Sequence, residues 1–169
     1  RLFPRIYPFT SLDGRGLNDA MPSAEFPGAT PPQIPDYKLL RKIGRGAFGD
    51  VWIGQNITGA WRAIKLVWKD RFTSADPYDR EFRGLKNFAD VSLRCARQLA
   101  LLHVGRNEEA GFFYSVMELA DDVQTGREIN PHTYVPLTLR ELHERKERLP
   151  AAEVIRIGID MADALRELH

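Results

Sequence analysis

The sequence predicts an α+β fold, in which a five-stranded antiparallel sheet carries one helix between its third and fourth strands and is followed by further helices. Three observations support this prediction. Short apolar runs broken by turn residues fill 36–68, a capped helical pattern follows at 77–89, and two more apolar runs end near residue 119. Beyond Asp121 the apolar spacing becomes helical, so we predict the element order βββαββ before the last helices.

Composition narrows the class of protein and of partner. Of the 169 residues, 43% are hydrophobic and 28% are charged, as in soluble globular proteins. The 24 Lys and Arg residues balance 23 Asp and Glu residues, so the net charge gives no support for nucleic acid as a partner. No apolar run approaches the roughly 20 residues of a membrane-spanning helix, and the single Cys95 fits a reducing compartment. We expect a cytoplasmic protein, and leave open an anchor outside these residues.

The chain divides into three regions. Residues 1–35 hold seven of the 11 prolines without helical or strand periodicity, which is typical of a flexible arm or linker. Residues 36–120 contain the predicted sheet and its helix, and residues 121–169 contain a polar connection and the last helices. Because the sequence starts at Arg1 and stops within a helical pattern, we interpret it as part of a longer protein.

The predicted strands and the first helix follow from local patterns. Strands are predicted at 37–43, 51–57, 61–68, 99–104 and 112–119, with Thr58-Gly59 as one turn and 105–111 as another. The helix at 77–89 has Asp76 as its expected N-cap and Pro77 at its first position.

Two more helices are predicted after residue 136. Thr138 and Glu141 form a capping box, and Pro150 opens the final helix. That helix carries a broad apolar stripe made of Val154, Ile155, Ile157, Ile159, Met161, Ala162, Leu165 and Leu168. A stripe of this width needs cover on several sides.

The pattern G-x-G-x-x-G-x-V, with glycines at 44, 46 and 49, indicates an anion site. Without a Cβ atom, the glycine backbone can approach a phosphate closely and turn its N–H groups toward it. A Rossmann dinucleotide site would need a helix after the third glycine. The residues from Val51 onward predict a strand instead, which disfavours that reading and places the glycines in a hairpin able to cover a nucleotide.

Lys65 and Glu81 are the candidate charged residues. In the third strand, the period of two puts Lys65 on the same face as Ala63. Burying a lysine in an apolar face is costly unless its ammonium meets anions, and the inward face of the predicted helix offers Glu81. Taken singly, Lys65 is more simply a solvated edge lysine and Glu81 a surface residue. Their combination with the glycines favours a shared site.

Together, the glycine hairpin, the Ala63-Ile64-Lys65 strand and Glu81 resemble the small lobe of a eukaryotic-like, bacterial-type serine/threonine protein kinase. The similarity continues through 114–120, which is similar to the fifth strand and hinge of that family, and it covers about 36–169. The resemblance implies a kinase-like small lobe at 36–120 and the start of a truncated large lobe at 121–169. Serine/threonine specificity is implied only by the similarity of residues 118–122 and the two following helices to those of bacterial serine/threonine kinases.

The resemblance also implies a role for each matching residue. Lys65 would contact the α- and β-phosphates of ATP, and Glu81 would hold its ammonium, so these two are the implied catalytic residues. Val51 and Ala63 would sandwich the adenine, with Met117 behind it. The implied ATP-binding residues are Ile43, Gly44, Gly46, Gly49, Val51, Ala63, Lys65, Met117, Glu118 and Ala120. The Mg²⁺ ligands are expected outside this stretch, and no metal residue is assigned.

The sequence departs from the family where the chemistry is completed. It contains neither the H-R-D-x-x-x-x-N catalytic loop nor the D-F-G motif, and His169 is not the missing histidine. We therefore expect the parent protein to transfer the γ-phosphoryl group of Mg-ATP to hydroxyls of a protein substrate, and these 169 residues alone to be inactive. A pseudokinase or a non-catalytic nucleotide-binding scaffold is the alternative.

Overall fold

The computed structural model describes residues 31–46, 48–94, 99–145 and 148–166. Within them the protein is α+β, with one five-stranded antiparallel sheet, and the predicted element order is confirmed. The strands are β1 (Tyr37–Arg45), β2 (Gly49–Asn56), β3 (Trp61–Trp68), β4 (Leu101–Asn107) and β5 (Phe112–Met117). The helices are α1 (Ala75–Arg94), α2 (Leu139–Glu144) and α3 (Ala151–Arg166), and a short 3₁₀ turn covers Lys69–Arg71.

The glycine hairpin and the β4–β5 hairpin are longer than predicted. The β1–β2 ladder continues to the pair Arg45 and Asp50, so β1 ends two residues later and β2 begins two residues earlier than expected. In the same way β4 continues through Asn107, because its partner strand β5 still supplies backbone groups opposite it. Residues 105–107 therefore belong to a strand rather than to the predicted turn.

Helix α1 extends beyond its predicted limits at both ends. It starts at Ala75, so Asp76 lies in its first turn instead of capping it. It also passes the predicted end at residue 89, since no Gly or Pro follows until well after residue 94. The buried Ser92 accounts for the position of this last turn, because its hydroxyl donates to the carbonyl of Ala89 and accepts the N–H of Leu101 at 3.0 Å.

The sheet has the strand order β1-β2-β3-β5-β4. Residues paired directly across antiparallel strands share one face of a sheet. Two such rows hold residues predicted to bind the nucleotide. The Lys65 row consists of Val51, Lys65 and Ser115, and the Ala63 row consists of Arg41, Ile53, Ala63 and Met117. Because the rows are two residues apart along β3, both lie on the same face of the sheet.

Each face of the sheet has its own apolar core. The face opposite the two rows buries Ile34, Leu39, Trp52, Ile64, Leu66, Phe112, Tyr114 and Val116. On the face of the two rows, α1 packs Tyr78 against Val67 and Phe113, with Phe82 and Leu85 beside them. Helix α1 therefore covers only the end of this face where Val67 lies, and Lys65 is at the border of that cover.

Arg106 of β4 holds α1 against the sheet edge. Its guanidinium pairs with the Asp79 carboxylate at 2.9 Å and lies 5.0 Å from the centre of the Tyr78 ring. Burial raises the pKa of the Tyr78 hydroxyl, although the adjacent Arg106 cation acts in the opposite direction. This contact places the face of α1 that carries Glu81 toward the sheet.

The C-terminal helices lie outside both cores. The predicted cap of α2 is confirmed, since the Thr138 hydroxyl accepts the N–H of Glu141 at 3.0 Å. No described residue of α3 is buried, and its Val154, Ile155 and Ile159 are each more than half exposed. None of the helices in the described part of the chain is long and apolar enough to span a membrane. The predicted arm lies outside the described residues up to position 30, as do Cys95 and Leu168.

Candidate functional site

The glycine hairpin bends toward α1. Its ladder ends with Gly44 opposite Val51 and Arg45 opposite Asp50, and the N–H of Gly46 donates to the carbonyl of Gly49 at 2.7 Å. Beyond this point the Phe48 ring stacks on Phe72, with centroids 4.7 Å apart and planes 15° apart. Since Phe72 lies three residues before the start of α1, the tip of the hairpin lies close to the first turns of that helix.

Two glycines of the hairpin, Gly44 and Gly49, differ in whether packing requires glycine at their positions. A Cβ atom on Gly49 would lie 1.8 Å from the carbonyl oxygen of Leu66, so the packing of β2 on β3 already requires glycine there. A Cβ atom on Gly44 would meet only the side chain of Val51, at an ordinary 3.7 Å. Packing within the chain therefore does not require glycine at position 44.

The structure brings Lys65 and Glu81 together. The Lys65 Nζ atom lies 3.6 Å from the Glu81 Oε1 atom, and the two side chains are 24% and 39% exposed. Lys65 is positioned by β3, opposite Val51 in the neighbouring strand, and Glu81 by the second turn of α1. An ion pair this exposed contributes under about 1 kcal/mol to the free energy of folding.

The remaining residues predicted for nucleotide binding lie along the two rows and beyond β5. Val51 and Ala63 are buried, and Met117 pairs with Ala63. Ile43 is half-buried in the irregular part of β1 between Lys42 and Gly44. At Glu118 and Ala120, whose backbones are implied to bind the edge of the adenine, two backbone groups already have partners. The N–H of Glu118 donates to the carbonyl of Ala100 at 3.1 Å.

The second of these groups is the carbonyl of Ala120. It accepts the hydroxyl of Tyr134 at 3.1 Å, and both residues are buried. Tyr134 belongs to the segment 121–136, here called the 121–136 loop, which the sequence predicted only as a polar connection. The Arg41 guanidinium binds the same loop, donating to the carbonyls of Pro131 at 2.9 Å and of Tyr134.

Asp122 organises the 121–136 loop. One carboxylate oxygen accepts the N–H groups of Gln124 at 2.8 Å and Thr125 at 3.0 Å, and the other accepts that of Val135 at 2.8 Å. Burial alone would raise the pKa of this carboxyl, but the bonds from Thr125, Val135 and Gln124 together lower it. The signal in the sequence was an Asp followed by polar residues and Gly126, a pattern typical of Asx turns.

Asp50 ties the hairpin to the chain segment that precedes α1. The buried carboxylate pairs with Lys42 at 2.9 Å and Arg71 at 3.1 Å, and Arg45 lies 3.7 Å away. This cluster was not predicted from the sequence. Strand pairing brings Arg45 opposite Asp50, and the 3₁₀ turn brings Arg71 to the same carboxylate. One signal was present: Asp is depleted in strand interiors, yet Asp50 stands between Gly49 and Val51.

A groove of about 420 Å³ lies between the tip of the hairpin and α1. Its lining residues are Phe48, Phe72, Pro77, Arg80, Glu81, Gly84, Leu85 and Phe88. The volume is within the range of small-ligand sites, about 300 to 1,000 Å³. Because Glu81 belongs to this lining and also pairs with Lys65, the groove adjoins the charged pair.

The described part of the chain has no cluster of side chains that could form a metal site. Nowhere in it do three His, Cys, Asp or Glu side chains gather in a group that could hold a metal ion. A scan against protein-family models finds no match, and a search of curated proteins finds no similar sequence. Function is therefore inferred from the geometry of the hairpin, the charged pair and the two rows.

Proposed function

We propose that residues 36–120 are the ATP-binding lobe of a protein kinase, which transfers the γ-phosphoryl group of Mg-ATP to serine or threonine hydroxyls of a protein substrate. The observation that carries this proposal is the 3.6 Å separation of the Lys65 ammonium and the Glu81 carboxylate beside the glycine hairpin. A bound triphosphate would pair with the Lys65 ammonium, which is costly to bury in an apolar face of the sheet without nearby anions.

The residues around the pair fit a nucleotide. Lys65 is one quarter exposed, so its ammonium can contact the α- and β-phosphates while Glu81 holds it from the other side. Because Gly44 has no Cβ atom, the backbone of the hairpin could approach the phosphates closely there. Val51 and Ala63, whose apolar side chains are both buried in this structure, would form the apolar wall of the adenine site. Mg²⁺, when bound with ATP, neutralises phosphate charge.

In this proposal the chain contributes position and charge. Lys65 and the hairpin would hold the phosphates in one orientation, which lowers the entropy cost of the transfer. In the transfer, the bond from the γ-phosphorus to the bridging oxygen of ADP breaks, and a bond to the acceptor hydroxyl forms. The sequence has no H-R-D-x-x-x-x-N motif from which to assign the base that takes the hydroxyl proton.

The second candidate is a nucleotide-binding module without transfer activity. The absence of the H-R-D and D-F-G motifs from the 169 residues favours it for this chain as it stands. We expect labelled phosphate from ATP to stay at background on a generic acceptor protein, because the groups that supply most of the acceleration in kinases are not in this sequence. Turnover by the pure chain would contradict this expectation.

Calorimetric titration of the chain with Mg-ATP tests the proposal. Lys65→Met should weaken binding at least about tenfold, since a hydrogen bond to a charged group contributes roughly 1.5 to 3 kcal/mol. Glu81→Gln should weaken it less. The double variant should resemble Lys65→Met, because the two side chains act on the phosphates as one unit. Lys69→Met is the matched control, since Lys69 is exposed and lies just after β3.

Each alternative has its own result. If Lys65→Met and Lys69→Met bind Mg-ATP as the wild type does, Lys65 is a solvated lysine and the proposed site is wrong. If the losses from Lys65→Met and Glu81→Gln simply add, the two residues act independently, and the ion pair has no part in binding.

A further inference from the structure

The 121–136 loop is attached at both ends of the Ala63 row. At the β1 end of this row, the Arg41 guanidinium binds the backbone carbonyls of Pro131 and Tyr134. At the β5 end, Met117 leads three residues later to Ala120, whose carbonyl accepts the Tyr134 hydroxyl at 3.1 Å. Tyr134 thus has its backbone at the β1 end and its hydroxyl at the β5 end.

The middle of the Ala63 row is covered. Ile53 and Ala63 are 0% and 3% exposed, and Tyr134 itself is only 2% exposed. Helix α1 does not supply this cover, because its core partner in β3 is Val67, four residues and about 13 Å along the strand. Among the described residues, α2 and α3 make no extensive contact with the sheet. The 121–136 loop is therefore the described segment placed to cover the row.

Internal bonds shape the loop, and the Arg41 and Tyr134 side chains attach it to the sheet. The Asp122 carboxylate, the N–H of Val123 on the carbonyl of Val135 at 2.9 Å, and the N–H of Leu137 on the carbonyl of Asp121 at 2.8 Å close it on itself. The Arg41 guanidinium binds two carbonyls of the loop, and the Tyr134 hydroxyl donates to the carbonyl of Ala120. Burial lowers the pKa of the Arg41 guanidinium, as expected for a cation under a covering segment. When Tyr134 leaves the row, the loop loses this attachment, and its internal bonds open more often.

We propose that the 121–136 loop is an autoinhibitory strap, which closes the adenine end of the nucleotide site until Tyr134 leaves the Ala63 row. This inference rests on the proposed function, which assigns the adenine ring to Val51 and Ala63, and on Ala120 as one of the ATP-binding residues that the resemblance implies. The phosphate end of the site, at Lys65 and Gly44, lies outside the contacts of the strap. A nucleotide then competes with the Tyr134 side chain for the same place, and its apparent affinity equals the intrinsic affinity multiplied by the fraction of molecules in which the strap is open.

The test measures binding of two probes, Mg-ATP and inorganic tripolyphosphate, to four forms of the chain. Tyr134→Phe removes only the hydroxyl, Tyr134→Ala removes the ring, and His132→Ala changes an exposed neighbour in the same loop. Mg-ATP should bind a few-fold more tightly to Tyr134→Phe and about tenfold or more tightly to Tyr134→Ala. Tripolyphosphate affinity should be the same in all forms, because it needs only the phosphate end.

Hydrogen exchange gives a second readout in the wild type. Saturating Mg-ATP should speed exchange at the amides of Val123 and Val135, which the closed loop protects, while exchange in β2 and β3 stays slow. The same β2 and β3 amides show whether Tyr134→Ala is folded. If that variant is unfolded, the Tyr134→Phe affinities and the wild-type exchange decide the matter.

Three results would overturn the strap. Equal Mg-ATP affinity in all four forms, with binding still dependent on Lys65, leaves the nucleotide site and removes the strap. Weaker Mg-ATP binding by Tyr134→Ala makes Tyr134 a contact of the ligand instead of its competitor. If neither probe binds any form in a way that depends on Lys65, the proposed function fails together with the strap.

Discussion

At the scale of single residues, Gly44 and Gly49 belong to one motif but answer to different constraints. A Cβ atom at position 49 collides with the Leu66 carbonyl, whereas one at position 44 meets only Val51 at a normal distance. We expect Gly49→Ala to destabilise the chain by several kcal/mol or to prevent folding, in the manner of overpacked cores. Gly44→Ala should keep the free energy of unfolding within about 0.5 kcal/mol and weaken Mg-ATP binding.

Urea unfolding followed by the fluorescence of the buried Trp52 measures the first effect, and calorimetric titration measures the second. A stable Gly49→Ala variant would show that β2 can move away from β3. Unchanged Mg-ATP affinity in Gly44→Ala would place the phosphates elsewhere.

Some of the site's residue-level geometry could be predicted from the sequence. The two-residue period of a strand and the inward face of a helix predicted that Lys65 and Glu81 face each other, and their charged atoms lie 3.6 Å apart. The contacts of Asp50 with Arg71 and of Arg41 with Tyr134 were not predictable in this way. They depend on which residues stand opposite each other across strands and on the path of a loop, and neither has a period in the sequence.

At the scale of elements, Gly84 is a weak point in α1. It lies within the helix, and a Cβ atom built on it meets no atom within 4 Å. Since glycine costs a helix interior roughly 0.5 to 1 kcal/mol relative to alanine, Gly84→Ala should raise the free energy of unfolding by about that amount. Gly158→Ala in α3 is the control, because α3 has no buried described residue and its helicity is not coupled to unfolding of the sheet.

Urea unfolding measures both Gly84→Ala and Gly158→Ala. A loss of stability in Gly84→Ala would mean that α1 bends at this glycine or that another part of the chain enters the groove there.

The 121–136 loop carries a pH-dependent element of stability at Asp122. Its folded-state pKa lies below the ordinary value of 3.8, so the ionised form stabilises the fold above that value. This contribution is lost as the pH falls through the folded-state pKa. Asp122→Asn should cost about 1 to 3 kcal/mol at pH 7, because its amide would set a donor against the N–H of Val135. As the pH falls below about 4 and through the folded-state pKa, the difference from wild type should shrink.

Thermal unfolding across this pH range, with Asp121→Asn as the control, checks the sign of the Asp122 effect. A difference that grows as the pH falls would contradict it.

The order of the elements could be read from apolar runs and turn residues, but their ends could not. The β1–β2 hairpin continued past its predicted limits because Arg45 pairs with Asp50, and because Gly49 pairs with Val67 of β3. Helix α1 passed residue 89 because Ser92 joined its last turn to β4. In both cases a partner distant in the sequence, rather than the local pattern, decided where the element ended.

At the scale of the whole molecule, the sheet and α1 form one packed unit, and α3 stands apart from it. The apolar pattern of α3 was predicted correctly, and most of the described residues that carry it remain exposed, among them Val154 at 53% and Ile155 at 62%. Exposed apolar surface beyond a few hundred square ångströms favours association, and most helical stability comes from the packing of an apolar face. An isolated helix of 16 residues is marginal in water.

We therefore expect α3 to exchange its amide hydrogens fast at low concentration, and the chain to self-associate as its concentration rises. Hydrogen exchange over Ala151–Arg166 and light scattering across a concentration series measure these two effects. Ile155→Lys combined with Ile159→Lys should abolish the association and leave the exchange of β2 and β3 unchanged, because both isoleucines are exposed. Slow exchange throughout α3 in a chain that stays monomeric at every concentration would contradict the expectation. It would mean that residues outside the described ranges cover the apolar stripe.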